Sequence, residues 1–331
     1  MDDNNGTLAR LRMTGYNSLI DEAKERHPKM SPQELYSQMR DKGITFNNSS
    51  PDEVVKTLEN LNYYYKLNVY RRNFQKKNGK YCDLDFSYLK KISNKDMELR
   101  YILLQFFLDI EHALKTFILT DITNNDSEDG YTIVPEFFAS TEQTEDPKYS
   151  INLDDVVKKA KGSKSYQHAM FEKNNDCIPV WTMLEYLSFG NFARFFKFYY
   201  TKNKKRGLNI SSIFGTIEGA KSLRNACAHS NPVLFNIKER KISHPSKVIR
   251  DYCYSLGLGR EVCKYSRIYD LLCVFYLHNK FVKGEGSRRF RYAAIKSYLT
   301  ICNEELTFIG KENDLYDYFR VLNNIVDNYD V

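Results

Sequence analysis

Within Arg224-Asn225-Ala226-Cys227-Ala228-His229, a permanent cation and a titratable imidazole stand five residues apart. The stretch closes a segment that reads as a helix from about Ser212 to Ser230. Successive helical side chains turn by about 100°, so these two diverge by about 140° and border one groove instead of sharing a stripe. Arg224 falls on the stripe of Ile213, Ile217 and Ala220, which should face the core. A guanidinium there needs a carboxylate, a cleft or a bound anion, because an unpaired buried charge is costly. His229 precedes Ser230-Asn231-Pro232, where a helix is expected to stop. The helix dipole favours a cation at that end. This equipment suits metal-free cleavage of RNA, which carries its own nucleophile, the 2′-hydroxyl. An imidazole with an ordinary pKa of about 6.5 can exchange protons near neutrality. Arg224 can fork two donors onto the phosphate as charge develops, and Asn225 can orient the imidazole or contact the phosphate. The products would be a 2′,3′-cyclic phosphate and a 5′-hydroxyl, and DNA should not be cut.

Helices must position these residues. Ser31-Pro32-Gln33-Glu34 and Ser50-Pro51-Asp52-Glu53 are helix starts. Gly43 stops the first helix, and Val54, Val55, Leu58, Leu61 and Tyr65 follow the second at helical spacing. Residues 1–75, whose first dozen are polar and frayed, read as a small helical domain. A wide apolar face from Leu99 to Ile118 marks a helix over residues 96–119. Glu111 and Lys115 lie at its margin, an i,i+4 pair worth roughly 0.2–0.5 kcal/mol if exposed. Glu111 or Glu185 could instead be the structural partner of Arg224. The segment 121–147 is acidic and free of Lys and Arg, and is expected to be a mobile loop that avoids nucleic acid. The bundle is expected over 76–245 with that insertion, and a helical extension over 246–331. No alternating pattern persists except short strand candidates near Tyr131–Val134 and Leu234–Ile237, so the fold should be all-α for the most part.

The 331 residues suffice for two or three domains. The net charge of +7 permits a polyanionic partner. Three basic clusters interleave with aromatic residues: Arg71, Arg72, Lys76 and Lys77; Lys202, Lys204, Lys205 and Arg206; and Arg288, Arg289 and Arg291. They are candidates for phosphate contact and base stacking. None of the seven cysteines forms a C-x-x-C pair, so neither a zinc site nor a redox motif is visible and no cofactor is expected. Scattered free cysteines and the absence of a leader or a long apolar run point to a reducing cytosol without membrane attachment.

Four segments resemble the Abi-like abortive-infection proteins of bacteria, in the order that family has them. They are Leu61-Asn62-Tyr63-Tyr64-Tyr65-Lys66-Leu67, Ile110-Glu111-His112-Ala113-Leu114-Lys115, Trp181 to Gly190, and Leu223 to Asn231. The motif itself is similar to the R-x(4–6)-H signature of the HEPN superfamily of helical-bundle ribonucleases. The resemblance implies a HEPN-type bundle, an antiphage or toxin role, catalysis by Arg224 and His229, and a homodimer whose two motifs face one cleft. Relatives silenced by a nucleotidyltransferase partner carry tyrosine two places after the histidine. Asn231 stands there, so such an antitoxin is disfavoured. The expectation is a metal-independent endoribonuclease, restrained by a structured non-coding RNA. The competing readings are a non-catalytic RNA-binding helical protein held with such an RNA, and a protein-interaction scaffold.

Overall fold

Both helix starts rest on reciprocal capping. Ser31 Oγ accepts from the Glu34 backbone N–H while Glu34 Oε2 accepts from the Ser31 N–H at 2.6 Å. Ser50 and Glu53 repeat the exchange. The computed structural model describes residues 19–60, 64–142, 150–174 and 176–329. The frayed start expected of the first dozen residues, and Leu61-Asn62-Tyr63 of the first resemblance segment, lie outside them. The chain divides into two units, Met1–Lys90 and Lys91–Val331.

The first unit holds α1 (residues 19–26), α2 (Pro32–Asp41), α3 (Pro51–Asn60) and α4 (Tyr64–Val69). It also carries an antiparallel hairpin of β1 (Lys76–Lys77) and β2 (Lys80–Tyr81). Asn78 and Gly79 form its turn, with φ of 51° and 78°. Asn-Gly is the dipeptide that such a turn prefers, because both central residues need positive φ. The two sequence-based strand candidates were elsewhere, and neither forms a strand. Tyr131–Val134 leads into a helix, and Leu234–Ile237 is irregular.

The expected helix over 96–119 is part of a much longer one, α5 (Phe86–Thr123). Then come α6 (Ile133–Glu142), α7 (Leu153–Val157), α8 (His168–Asn174), α9 (Val180–Tyr186), α10 (Phe189–Lys202) and α11 (Ile210–Ala228). The chain closes with α12 (Lys247–Ser255), α13 (Ser266–Phe281), α14 (Glu285–Glu305) and α15 (Asp314–Asp327). The fold is mostly α. The core of the second unit is aromatic: Phe106 of α5 meets Phe275 of α13 at 4.9 Å, and Phe117 meets Phe281 at 5.1 Å. His278 is buried against Phe106, accepts or donates at Tyr329 Oη, and is pushed down to about 4 by that burial. Among the described residues no helix is long and apolar enough to cross a membrane.

The described part of the acidic segment is not a loose loop. Its Ile133, Val134, Phe137 and Phe138 are buried on α6, and Phe137 meets Phe195 of α10 edge-on at 5.2 Å. Residues 143–149 lie outside the description. The mobile loop expected there rested on acids with no basic neighbour in sequence. Their partners come from α10 and the turn after it: Lys202 meets Glu136 at 2.6 Å and Glu128 at 3.3 Å, and Lys205 meets Asp121.

Candidate active site

The motif helix α11 is capped by Asn209, whose side chain accepts from the Ser212 N–H at 3.0 Å. Its buried face is Ile213, Thr216, Ile217, Gly219, Ala220, Leu223 and Cys227. That face packs on α13 closely enough that a Cβ on Gly219 would sit 2.8 Å from Cys273 Sγ. Glycine is what allows the approach. The Cys227 thiol, inside the motif, is pushed up to about 12 by burial, with Asp96 acting in the same sense. It is a packing group, because the thiolate is the reactive form.

Arg224 is half-buried at the edge of this face, and Asn225 and His229 are exposed. The Arg224 guanidinium donates to Asn225 Oδ1 over a long 3.4 Å, and among the described residues it has no carboxylate partner. The two acids proposed for it are engaged elsewhere. Lys115 Nζ lies 3.2 Å from Glu111 and 3.6 Å from Glu185, so these three form a cluster of their own.

His229 is the C-cap of α11. Beyond it the Ser230 N–H donates to Cys227 O at 3.1 Å and the Asn231 N–H to Ala226 O at 2.8 Å. This is the paired closure of a Schellman turn, and Ser230 takes its left-handed position at φ 55°. Asn231 is exposed. The chain then meets a group that sequence reasoning passed over. Asp96 of α5 is fully buried and accepts from the Val233 and Leu234 N–H groups, both at 2.7 Å, and from Arg100 Nε at 2.7 Å. One carboxylate thus ties the turn carrying His229 to the longest helix. The signal was present: Asp96 occupies the apolar stripe of Leu99 and Leu103, four residues before Arg100.

A second unforeseen acid lies behind the motif helix. Asp270 of α13 shares a small cavity with Ser222, Leu223 and Ala226, and with Arg267. Burial pushes its carboxyl up to about 7, against the opposing pull of Arg267 and Arg240.

The basic clusters are less available than the sequence suggests. Lys202 and Lys205 are paired with acids, while Lys204 and Arg206 are exposed. Arg291 grips Asp109 through two nitrogens at 2.8 and 3.1 Å and Gln105 at 3.0 Å. Arg288 is buried against the Tyr329 ring, and Arg289 is exposed beside Glu285. In the first unit Arg71 is half-buried, whereas Arg72, Lys76 and Lys77 are exposed.

A search of curated proteins and a search of solved structures each give no match. A family model described as "Abi-like protein" matches residues 56–236, more than half of the chain. That span takes in Asp96, the Glu111–Lys115–Glu185 cluster, the whole of α11 and the turn behind His229. The chain whose motif helix ends in Arg224, Asn225 and His229 belongs to the Abi-like protein family.

Proposed function

We propose that the protein is a metal-independent RNA endonuclease of the abortive-infection or toxin type, of the HEPN kind. The observation that carries this reading is the end of α11. Arg224, Asn225 and His229 stand there together, two of them exposed, and the acids expected to neutralise Arg224 are bound to Lys115 instead. A half-buried guanidinium without a carboxylate fits a site whose missing partner is an anion brought by the substrate.

In the proposed reaction His229 exchanges the protons of the 2′-hydroxyl and the leaving 5′-oxygen. Arg224 holds the phosphate as its charge grows, and Asn225 orients one of the two. Asp96 touches no substrate and acts as a positioning residue. Since one imidazole must serve two proton transfers, a homodimer with two motifs on one cleft completes the site.

Incubating the full chain with RNA in EDTA tests this. Cleavage should leave 2′,3′-cyclic phosphate ends. Arg224→Ala and His229→Ala should each remove activity with helical content intact, and the double variant should be little worse than either, because both act on one phosphate. Full activity in His229→Ala would overturn the assignment. RNA binding without cleavage would favour the non-catalytic RNA-binding reading.

A further inference from the structure

Beside the motif, along the same helix, lies a cavity of about 670 Å³ between α6, α10 and α11. Phe137, Phe198 and Phe214 supply rings, and Arg194, Lys197 and Lys221 supply cations. Phe137 is buried and forms the floor, while Phe198 and Phe214 are half-buried. The exposed Lys197 places its ammonium 4.8 Å from the centre of the Phe214 ring. Lys221 pairs with Glu218, the one acid of the lining, and Lys202 at the rim is held by Glu136. Lys197 covers one face of Phe214, and a base on the other face with its phosphate at Lys197 would find there a stacking surface and a counter-charge. The volume is in the range of small-molecule sites.

The position on α11 gives the cavity its meaning. Taking Arg224 as the origin, helical geometry puts Lys221 at about 60°, Phe214 at about 80°, Glu218 at about 120° and His229 at about 140°. Asn225 falls at about 100°. The cavity therefore opens on the sector bounded by Arg224 and His229. Lys221 precedes Asn225 by one helical turn, an axial step of about 6 Å. The cavity runs on from Lys221 back to Phe214, about 16 Å along the axis from Asn225, so a strand with its scissile phosphate at the motif and continuing along α11 reaches that ring a few nucleotides further on.

We infer that this cavity is a binding subsite for a nucleotide of single-stranded RNA a few nucleotides from the scissile phosphate, with the base on Phe214 and Phe198 and the phosphate at Lys197. The inference rests on the ribonuclease reading for which strand is bound and where it runs.

The test measures binding of a fluorescein-labelled, mixed-sequence 2′-O-methyl RNA hexamer, which lacks the nucleophile and is not cut. Wild-type, Lys197→Glu, Phe214→Ala and Phe214→Tyr full-length proteins are compared, with Lys296→Glu as a charge-matched control outside the cavity. Lys197→Glu and Phe214→Ala should each weaken the hexamer about ten-fold, and Phe214→Tyr should restore affinity. Against an abasic hexamer, Lys197→Glu should still weaken binding and Phe214→Ala should not. Lys197→Glu should also lower the salt dependence by about one released ion, which Lys296→Glu should not do. Hexamer affinity within about two-fold of wild type for both Lys197→Glu and Phe214→Ala, or no RNA binding at all, overturns the subsite. Cleavage of unmodified RNA is measured separately. A protein that cuts RNA with no role for Lys197 or Phe214 loses the subsite and keeps the nuclease. One that binds through them without cutting keeps the subsite and loses the nuclease.

Discussion

Asp96 is the residue on which the motif turn depends most. Its charge is buried and satisfied by Arg100 and two backbone donors, so removing it leaves three unpaired groups. Breaking a buried pair of this kind costs about 3–5 kcal/mol. Asp96→Ala should lose stability on that scale in urea unfolding, and any protein that still folds should cut RNA poorly. Asp96→Asn keeps an acceptor and should lose less. Asp270 makes the opposite case, an acid the fold pays to keep ionised. Its folded pKa of about 7 lies above the usual carboxylate value, so its ionisation removes stability as pH rises from about 4 to 7. Asp270→Asn should therefore gain stability over wild type at pH 8, by at most roughly 4 kcal/mol, and gain little at pH 4. His278 acts in the other sense. Its folded pKa of about 4 is depressed, so the unfolded chain takes the proton first and stability falls as pH drops from about 6.5 to 4. The informative comparison is accordingly variant against wild type at each pH by thermal melts.

At the scale of elements, the end of α11 carries a local strain. Ser230 occupies the left-handed position that glycine fills in most such turns, where a side chain costs about 1–2 kcal/mol. Part of that returns as backbone entropy, so Ser230→Gly should raise stability by about 0.5–1 kcal/mol. Differential scanning calorimetry would read it, and an unchanged or lower melting point would count against the turn geometry. The helices themselves were legible: the capping boxes at Ser31 and Ser50 and the apolar stripes of α5 and α11 are local, period-coded signals. The hairpin at Asn78-Gly79 was missed, although its turn dipeptide is a hairpin signal, because strands of two residues show no alternation. Sequence could not show which acids meet which bases. Arg291 with Asp109 and Lys202 with Glu136 join residues far apart in the chain, and nothing local encodes such pairs. For the same reason the motif residues were visible in the sequence, and Asp96 was marked only as an acid on an apolar stripe, while its bonds to Val233 and Leu234 were not visible.

At the scale of the whole molecule, the basic clusters overstate the free cationic surface, since Lys202, Lys205 and Arg291 already have acidic partners, while the net charge of +7 is what remains after all such pairs cancel. Of those clusters, Lys204 and Arg206 in the second unit and Arg72, Lys76 and Lys77 in the first are exposed without an acidic partner among the described residues. The proposed homodimer has an apolar candidate for its contact. Met97, Tyr101 and Leu108 are exposed by 40%, 54% and 67% and share one stripe of α5, the helix that also carries Asp96. Light scattering should show a dimer. Tyr101→Glu and Leu108→Glu should shift it to monomer and lower cleavage together. A monomer cutting at the full rate would remove the paired-motif arrangement.

The bond from Asp96 to Val233 spans 137 residues. Closing so long a loop is slow and comes after local helices have formed. During synthesis, the turn behind His229 has no anchor until Leu234 has cleared the ribosome and folded back onto α5. A nascent chain therefore holds both motif residues without holding them in place, and on the ribonuclease reading the translating ribosome, itself largely RNA, would be spared while the protein is being made.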